Sequence, residues 1–257
     1  TVDEYQLTLR LFLAGFALAQ LAIGPLSDRL GRRPVLLAGI TIYFFAAIAC
    51  ALAPDIASLT GARFIQAIGA CAGVVLGRAI VRDIYGPDRS ARMLAIISSV
   101  MSIAPAIGPV IGSQIQVALG WRWNFGFLTL VGAVAFLAVW NLLDETHHRR
   151  EGYALSPGRI LAAYREVLAA AEFRAYAMAV ACSYSGLFAF ISGSSFVLIQ
   201  VLEVDTAYFG YCFLSVPAGY FVGTQLAARL TLRLGIPRMV MMGAAAAGSN
   251  ARSIDAA

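Results

Sequence analysis

Lysine is absent from this 257-residue chain; all 19 basic residues are arginine. Charge of either sign is scarce, at 13% of residues, while 60% are hydrophobic and the mean hydropathy is +0.77. Soluble domains carry about 25% charged residues, so this shortage excludes an ordinary soluble fold. Histidine is reduced to His147 and His148. Adjacent side chains cannot share a helix face, which argues against a metal site there. The four cysteines, Cys50, Cys71, Cys182 and Cys212, fall inside apolar runs without CxxC or Cys/His spacing. That pattern suits small packing residues rather than disulfide or metal chemistry. Asp and Glu are missing from the middle of every long apolar run. Finally, the chain lacks a single basic face: its arginines fall in loops of one parity, so a pI near 9.2 implies no nucleic-acid partner.

What the chain does have is length in its apolar runs. Residues 7–26, 35–53, 59–80, 93–119, 125–143, 175–202 and 208–230 are each about long enough to cross a bilayer as a helix. The first two show none of the polar stripe of a soluble helix. Residues 239–248 form an eighth run of half that length. The expected fold is therefore all-α and integral to a membrane, with seven full spans and a partial one. The segments between spans alternate in charge. One set carries Arg29, Arg32, Arg33, Arg78, Arg82, Arg89, Arg92, Arg149, Arg150, Arg159, Arg165, Arg174, Arg229, Arg233 and Arg238; the other carries only Arg122. The positive-inside rule puts the first set in the cytoplasm and the N-terminus outside. A chain that starts outside without a signal peptide leads us to expect one further span in front.

The longest polar stretch, 144–172, reads as a cytoplasmic linker. It separates a first helical bundle over 1–143 from the start of a second over 173–248, with an atypical tail at 249–257. Leu26-Ser27-Asp28-Arg29-Leu30-Gly31 recurs as Leu230-Thr231-Leu232-Arg233-Leu234-Gly235. Such a parallel repeat is expected where two halves share one ancestry. The second copy has Leu232 in place of Asp28, so the aspartate acts once.

Four stretches carry candidate function. The basic turn Gly24-Pro25-Leu26-Ser27-Asp28-Arg29-Leu30-Gly31-Arg32-Arg33-Pro34 lies between the first two runs. Gly24 and Gly31 allow a tight turn there. Asp28, at the membrane edge, needs a partner, which nearby arginines or the N-terminal dipole of a helix from the other half would supply, and reads as a conformational latch, whereas Arg32 and Arg33 fit topology or latch equally. In the third run Arg63 sits inside the span with Gln66 on its face. A buried charge there costs about 2.5–3.5 kcal/mol unless paired or wetted, so it marks a proton or substrate path or else snorkels outward. Gly69, Gly73 and Gly77 follow at every fourth position, a surface for close helix packing. In the fourth run Pro105, Gly108, Pro109 and Gly112 predict a kinked helix crossed closely by another. In the sixth, Tyr184 and Phe188 stand one turn apart among hydroxyls and aromatics, suiting a drug-sized cavity or a lipid-facing surface.

G-x-L-x-D-R-x-G-R-R in the turn resembles the signature loop of the major facilitator superfamily. Arg63-Phe64-x-Gln66-x-x-Gly69 resembles its second motif, with Ala67 where glycine is usual. Gly108-Pro109-x-x-Gly112 is similar to the antiporter motif of drug/proton exporters, with Ala104 and Ser113 at common glycine positions. With Arg78-Ala79-Ile80-Val81-Arg82-Asp83 and Gly120-Trp121-Arg122-Trp123, the set is similar to the Bcr/CflA drug-resistance family over about residues 7–242. The resemblance implies a fragment of a major facilitator fold in the inner (plasma) membrane. It implies proton-coupled export of small amphiphilic drugs by alternating access, with no cofactor and no metal. Its partners would be the small-molecule substrate, protons and the lipid bilayer. In that family the first helix carries an aspartate, which would supply the titrating acid that the present spans lack. An importer of a small metabolite on the same fold stays open. So does a helical receptor or membrane enzyme, although a paired nucleophile and base are not found.

Overall fold

An apolar run inside a bilayer can satisfy its backbone groups internally only as a helix or a closed barrel. The computed structural model shows helices. It describes residues 2–101, 104–146 and 157–197, and beyond these Tyr208, Gly219, Gly223, Leu230, Met241 and Met242. In chain order the elements are α1 (Val2–Leu30), α2 (Arg32–Leu52), α3 (Ile56–Met101), α4 (Ala104–Leu119), α5 (Arg122–Leu142), α6 (Pro157–Ala169) and α7 (Ala171–Phe196). Among the described residues four helical stretches are long and apolar enough to cross a membrane: Leu7–Leu30, Arg32–Leu52, Ile56–Gly86 and Arg122–Leu142. The expected span at 208–230 and the partial run at 239–248 lie outside the described residues apart from isolated positions.

Three boundaries differ from the sequence reading. The basic turn is helical on both sides, and only Gly31 separates α1 from α2. Gly31 has φ 104, a left-handed conformation that closes α1 through its N–H to the Ser27 carbonyl at 3.0 Å. The arginine-bearing stretch 78–92 is not a loop but a continuation of α3, broken at Gly86 with φ 66 and ψ −179. The fourth run is divided between the end of α3 and α4, with residues 102–103 outside the description. Pro105 therefore falls in the first turn of α4, where proline removes no helix hydrogen bond, and Pro109 is the interior one.

Contacts group the chain into two units, one made of residues 1–99 and 112–167, the other of residues 100–111 and 168–257. In the first unit the core joins Ala19 and Ile23 of α1, Val35 and Leu36 of α2, and Cys71, Ala72, Leu76 and Ile80 of α3; Val139 and Leu143 close it from the α5 side. Large residues such as Leu18, Phe45, Leu130, Val134 and Leu137 point outward. Within lipid no hydrophobic force drives helices together, so close van der Waals fit must do so.

That fit is tightest where α2 crosses α3. A Cβ added at Gly69 would lie 2.5 Å from the Tyr43 nitrogen and 2.6 Å from the Gly39 carbonyl oxygen, and one at Gly39 would collide with Ala72. Backbone cannot yield as a side chain does. The expected stripe of three glycines is thus one crossing point: Gly73 and Gly77 have no described neighbour within 4 Å. Gly69→Ala is expected to lower the unfolding temperature of the detergent-solubilised protein, at a cost of roughly 1–3 kcal/mol. Gly73→Ala should leave it unchanged, and equal melting of the two variants would show that these backbones do not touch.

The ends away from Gly31 are capped locally. Arg122, the one arginine on its side, donates from Nη2 to the Ala53 carbonyl at 3.1 Å, at the C-terminus of α2, and stacks on Trp121 at 4.5 Å. Asp55 caps α3 by accepting from the Ser58 N–H at 2.7 Å, and this hydrogen bond holds its carboxyl below the usual range.

Candidate functional site

Two polar clusters stand out in the first unit. The first is built around Gly31. A glycine at the start of α2 has no side chain to cap the helix. The cap comes instead from Glu145, just past α5: the backbone N–H of Arg32 donates to Oε1 at 2.9 Å and that of Arg33 to Oε2 at 3.3 Å. One carboxylate thus satisfies two orphan donors at the positive end of the helix dipole. Arg32 turns inward and is buried. Its Nε donates to Asp83 Oδ2 of α3 at 3.0 Å, and its Nη1 donates to Ser27 Oγ and pairs with Asp28 one turn away. Ser27 in turn donates to the Gly24 carbonyl at 2.8 Å. Arg33 extends along α5, donating to the Trp140 carbonyl at 2.7 Å with its guanidinium 5.7 Å from the Trp140 ring. Arg29 stays exposed in the last turn of α1.

The turn therefore gathers four elements, with Asp28 from α1, Arg32 and Arg33 from α2, Asp83 from α3 and Glu145 after α5. Arg32 is the hub, a role that charge counting by topology does not foresee. Gly24 makes no tight approach to any described atom. The sequence reading missed Ser27, Asp83, Trp140 and Glu145 as participants. A signal for the acids was available: Asp83 and Glu145 are carboxylates placed on the arginine-rich side, directly at span ends.

The second cluster lies about 10 Å into α3, seven residues from its start. Arg63 Nη1 donates to Gln66 Oε1 at 2.9 Å. The guanidinium sits 4.5 Å from the Phe12 ring of α1 and 5.6 Å from the Phe125 ring of α5, and Tyr43 and Cys50 of α2 are within electrostatic reach. Aromatic faces attract a cation by their quadrupole, so α1 and α5 share the cost of burying it. Arg63 is partly buried, and no carboxylate pairs with it among the described residues. Gln66 is fully buried, and its Nε2 has no hydrogen-bond acceptor among the described residues. Among these residues the cluster is therefore rich in donors and short of acceptors.

The remaining candidates are not drawn into either cluster. A Cβ at Gly108 meets nothing described within 4 Å, and one at Gly112 meets only Asn124 Oδ1 at 3.5 Å, an ordinary contact. The close crossing expected at those two glycines is absent among the described residues. Tyr184 is 54% exposed on α7 in the second unit, and the Phe188 side chain lies outside the description. No group of His, Cys, Asp and Glu suited to a metal occurs among the described residues.

Comparison with known proteins places this geometry. The chain is 29% identical over 238 residues to a bicyclomycin resistance protein homolog of Haemophilus influenzae, covering 93% of this chain and 60% of that protein. It is 33% identical over 244 residues to a chloramphenicol resistance protein of Pseudomonas aeruginosa, covering 95% and 57%. With the multidrug transporter MdfA of Yersinia pestis it shares 29% over 244 residues, covering 95% and 59%. The chain thus spans less than two thirds of these relatives. Among solved structures, the human organic anion transporter MFSD10 (TETRAN) superposes with a TM-score of 0.53 at 22% identity, over 82% of this chain and 53% of that one, a likeness of fold. The model of the Major Facilitator Superfamily matches residues 1–251. With that match across nearly all its length, an all-helical structure and apolar spans joined by the charged turn, this chain belongs to the major facilitator superfamily of membrane transporters.

Proposed function

We propose that the chain is part of a multi-pass inner-membrane exporter that moves small amphiphilic drugs outward in exchange for protons, by alternating access. The observation that carries this reading is the Arg63–Gln66 cluster. Its guanidinium and the Gln66 amide, which has no acceptor among the described residues, offer donors, while Phe12 and Phe125 offer apolar faces. A ligand with a carbonyl, hydroxyl or carboxylate on an apolar body satisfies both demands. The relatives' names, which speak of bicyclomycin, chloramphenicol and multiple drugs, support the same substrate class. The arginine distribution supports a cytoplasmic placement of the Gly31 turn.

The test is drug accumulation in an efflux-deficient bacterium that expresses the whole protein. Cells should accumulate less chloramphenicol than empty-vector controls, and a protonophore should abolish the difference. Unchanged accumulation of chloramphenicol and of a panel of cationic and neutral amphiphiles would overturn the export reading. Export insensitive to the protonophore would overturn proton coupling.

A further inference from the structure

Pro25 lies inside α1, and proline has no N–H. The carbonyl four residues earlier, that of Leu21, therefore loses its helical partner. In a membrane-embedded bundle such a freed carbonyl must find another donor. It finds one 143 positions along the chain: the Tyr164 hydroxyl of α6 donates to the Leu21 carbonyl at 2.9 Å. Pro25 and Tyr164 thus fit as acceptor-maker and donor.

Among the described residues of α6 this contact stands out as a point of attachment. Leu161 and Val167 flank Tyr164 by one turn on the same face, yet they are 69% and 46% exposed. From 161 to 169, Tyr164 alone is drawn in from full exposure.

We propose that the proline-freed carbonyl of Leu21 is a docking site for the linker helix, with Tyr164 as its anchor. The pair fixes α6 against α1 in the conformation seen here and lets it leave when α1 moves. Tyr164 is then a positioning residue, acting on the linker rather than on substrate. Pro25 has a role separate from the charged cluster that follows it, because it works by withholding an N–H.

The experiment is a double-mutant cycle on the whole protein in detergent, read by the rate of trypsin cleavage after Arg159 and Arg165 in the linker. Tyr164→Phe keeps the ring and removes the donor. It should speed cleavage about fivefold, the worth of one neutral hydrogen bond. Pro25→Ala restores an N–H that closes the Leu21 carbonyl within α1, so in that background Tyr164→Phe should change the rate less than twofold. Pro25→Leu serves in the same way should the alanine variant fail to insert. Cleavage of Tyr164→Phe at the wild-type rate, or an undiminished Tyr164→Phe effect in the Pro25→Ala or Pro25→Leu background, would overturn the proposal.

Discussion

Arg32→Ala is expected to reduce drug export by at least tenfold, measured as initial efflux from cells matched for the amount of inserted protein. The guanidinium holds Asp83 of α3, Asp28 of α1 and the Ser27 hydroxyl at once. Hydrogen bonds to a charged group contribute about 1.5–3 kcal/mol each. Side-chain exposures of 44% at Asp28 and 23% at Asp83 let water replace part of this, so the low end applies. Losing about 1.5 kcal/mol from one conformation still shifts a two-state balance by about tenfold. Two carboxylates left facing each other add repulsion. Arg32→Lys keeps the charge but not the planar fork that spans Asp83 and Asp28, so export should fall to an intermediate level. Glu145→Gln provides a second arm. It preserves one acceptor for the α2 N-terminus but loses the charge facing the helix dipole, and should act in the same direction more weakly. Export at the wild-type rate in Arg32→Ala would show that the cluster only sets topology.

How much of this was legible beforehand follows from the range of each interaction. Asp28 with Arg32 is a local pair, one helical turn apart, and the motif displays it directly. Asp83 and Glu145 reach Arg32 and its backbone from 51 and 113 residues away, a distance over which sequence spacing carries no geometry. The stretch 78–92 reads as a loop because four arginines interrupt the apolar pattern. A helix leaving the membrane can nonetheless continue with polar residues, and only Gly86 breaks it. Periodic glycines announce close packing but not its place. Gly69 meets backbone, whereas Gly73, Gly77 and Gly108 meet no described atom within 4 Å, because only the crossing geometry of the neighbouring helix decides. The Leu21 carbonyl was equally invisible: Pro25 predicts a freed acceptor four residues back, but nothing in the sequence names Tyr164 as its donor.

Arg63→Ala should abolish the proposed proton-driven export while leaving insertion and the Gly31 cluster intact. Arg63 binds through Gln66 and two aromatic faces rather than through a carboxylate among the described residues. Its positive charge is therefore only partly compensated inside the span, where ionic groups persist chiefly for function. A cation so placed favours the ionised form of any acid that comes near, and attracts the acceptor end of a substrate in the same way. Competition of the two for one guanidinium would couple substrate movement to proton movement. Removing the side chain removes the point of competition, so export should lose both its rate and its dependence on external pH. Arg63→Lys keeps the charge on a flexible stem that cannot hold Gln66 and stack on Phe12 together, and should retain partial export with a shifted pH profile. Gln66→Leu supplies the contrast. It removes the free amide and the Arg63 acceptor without altering charge, so it should weaken substrate affinity more than it alters the pH profile. Normal export by Arg63→Ala with an unchanged pH profile would assign Arg63 to anchoring α3 between Phe12 and Phe125, and would place the coupling groups elsewhere in the bundle.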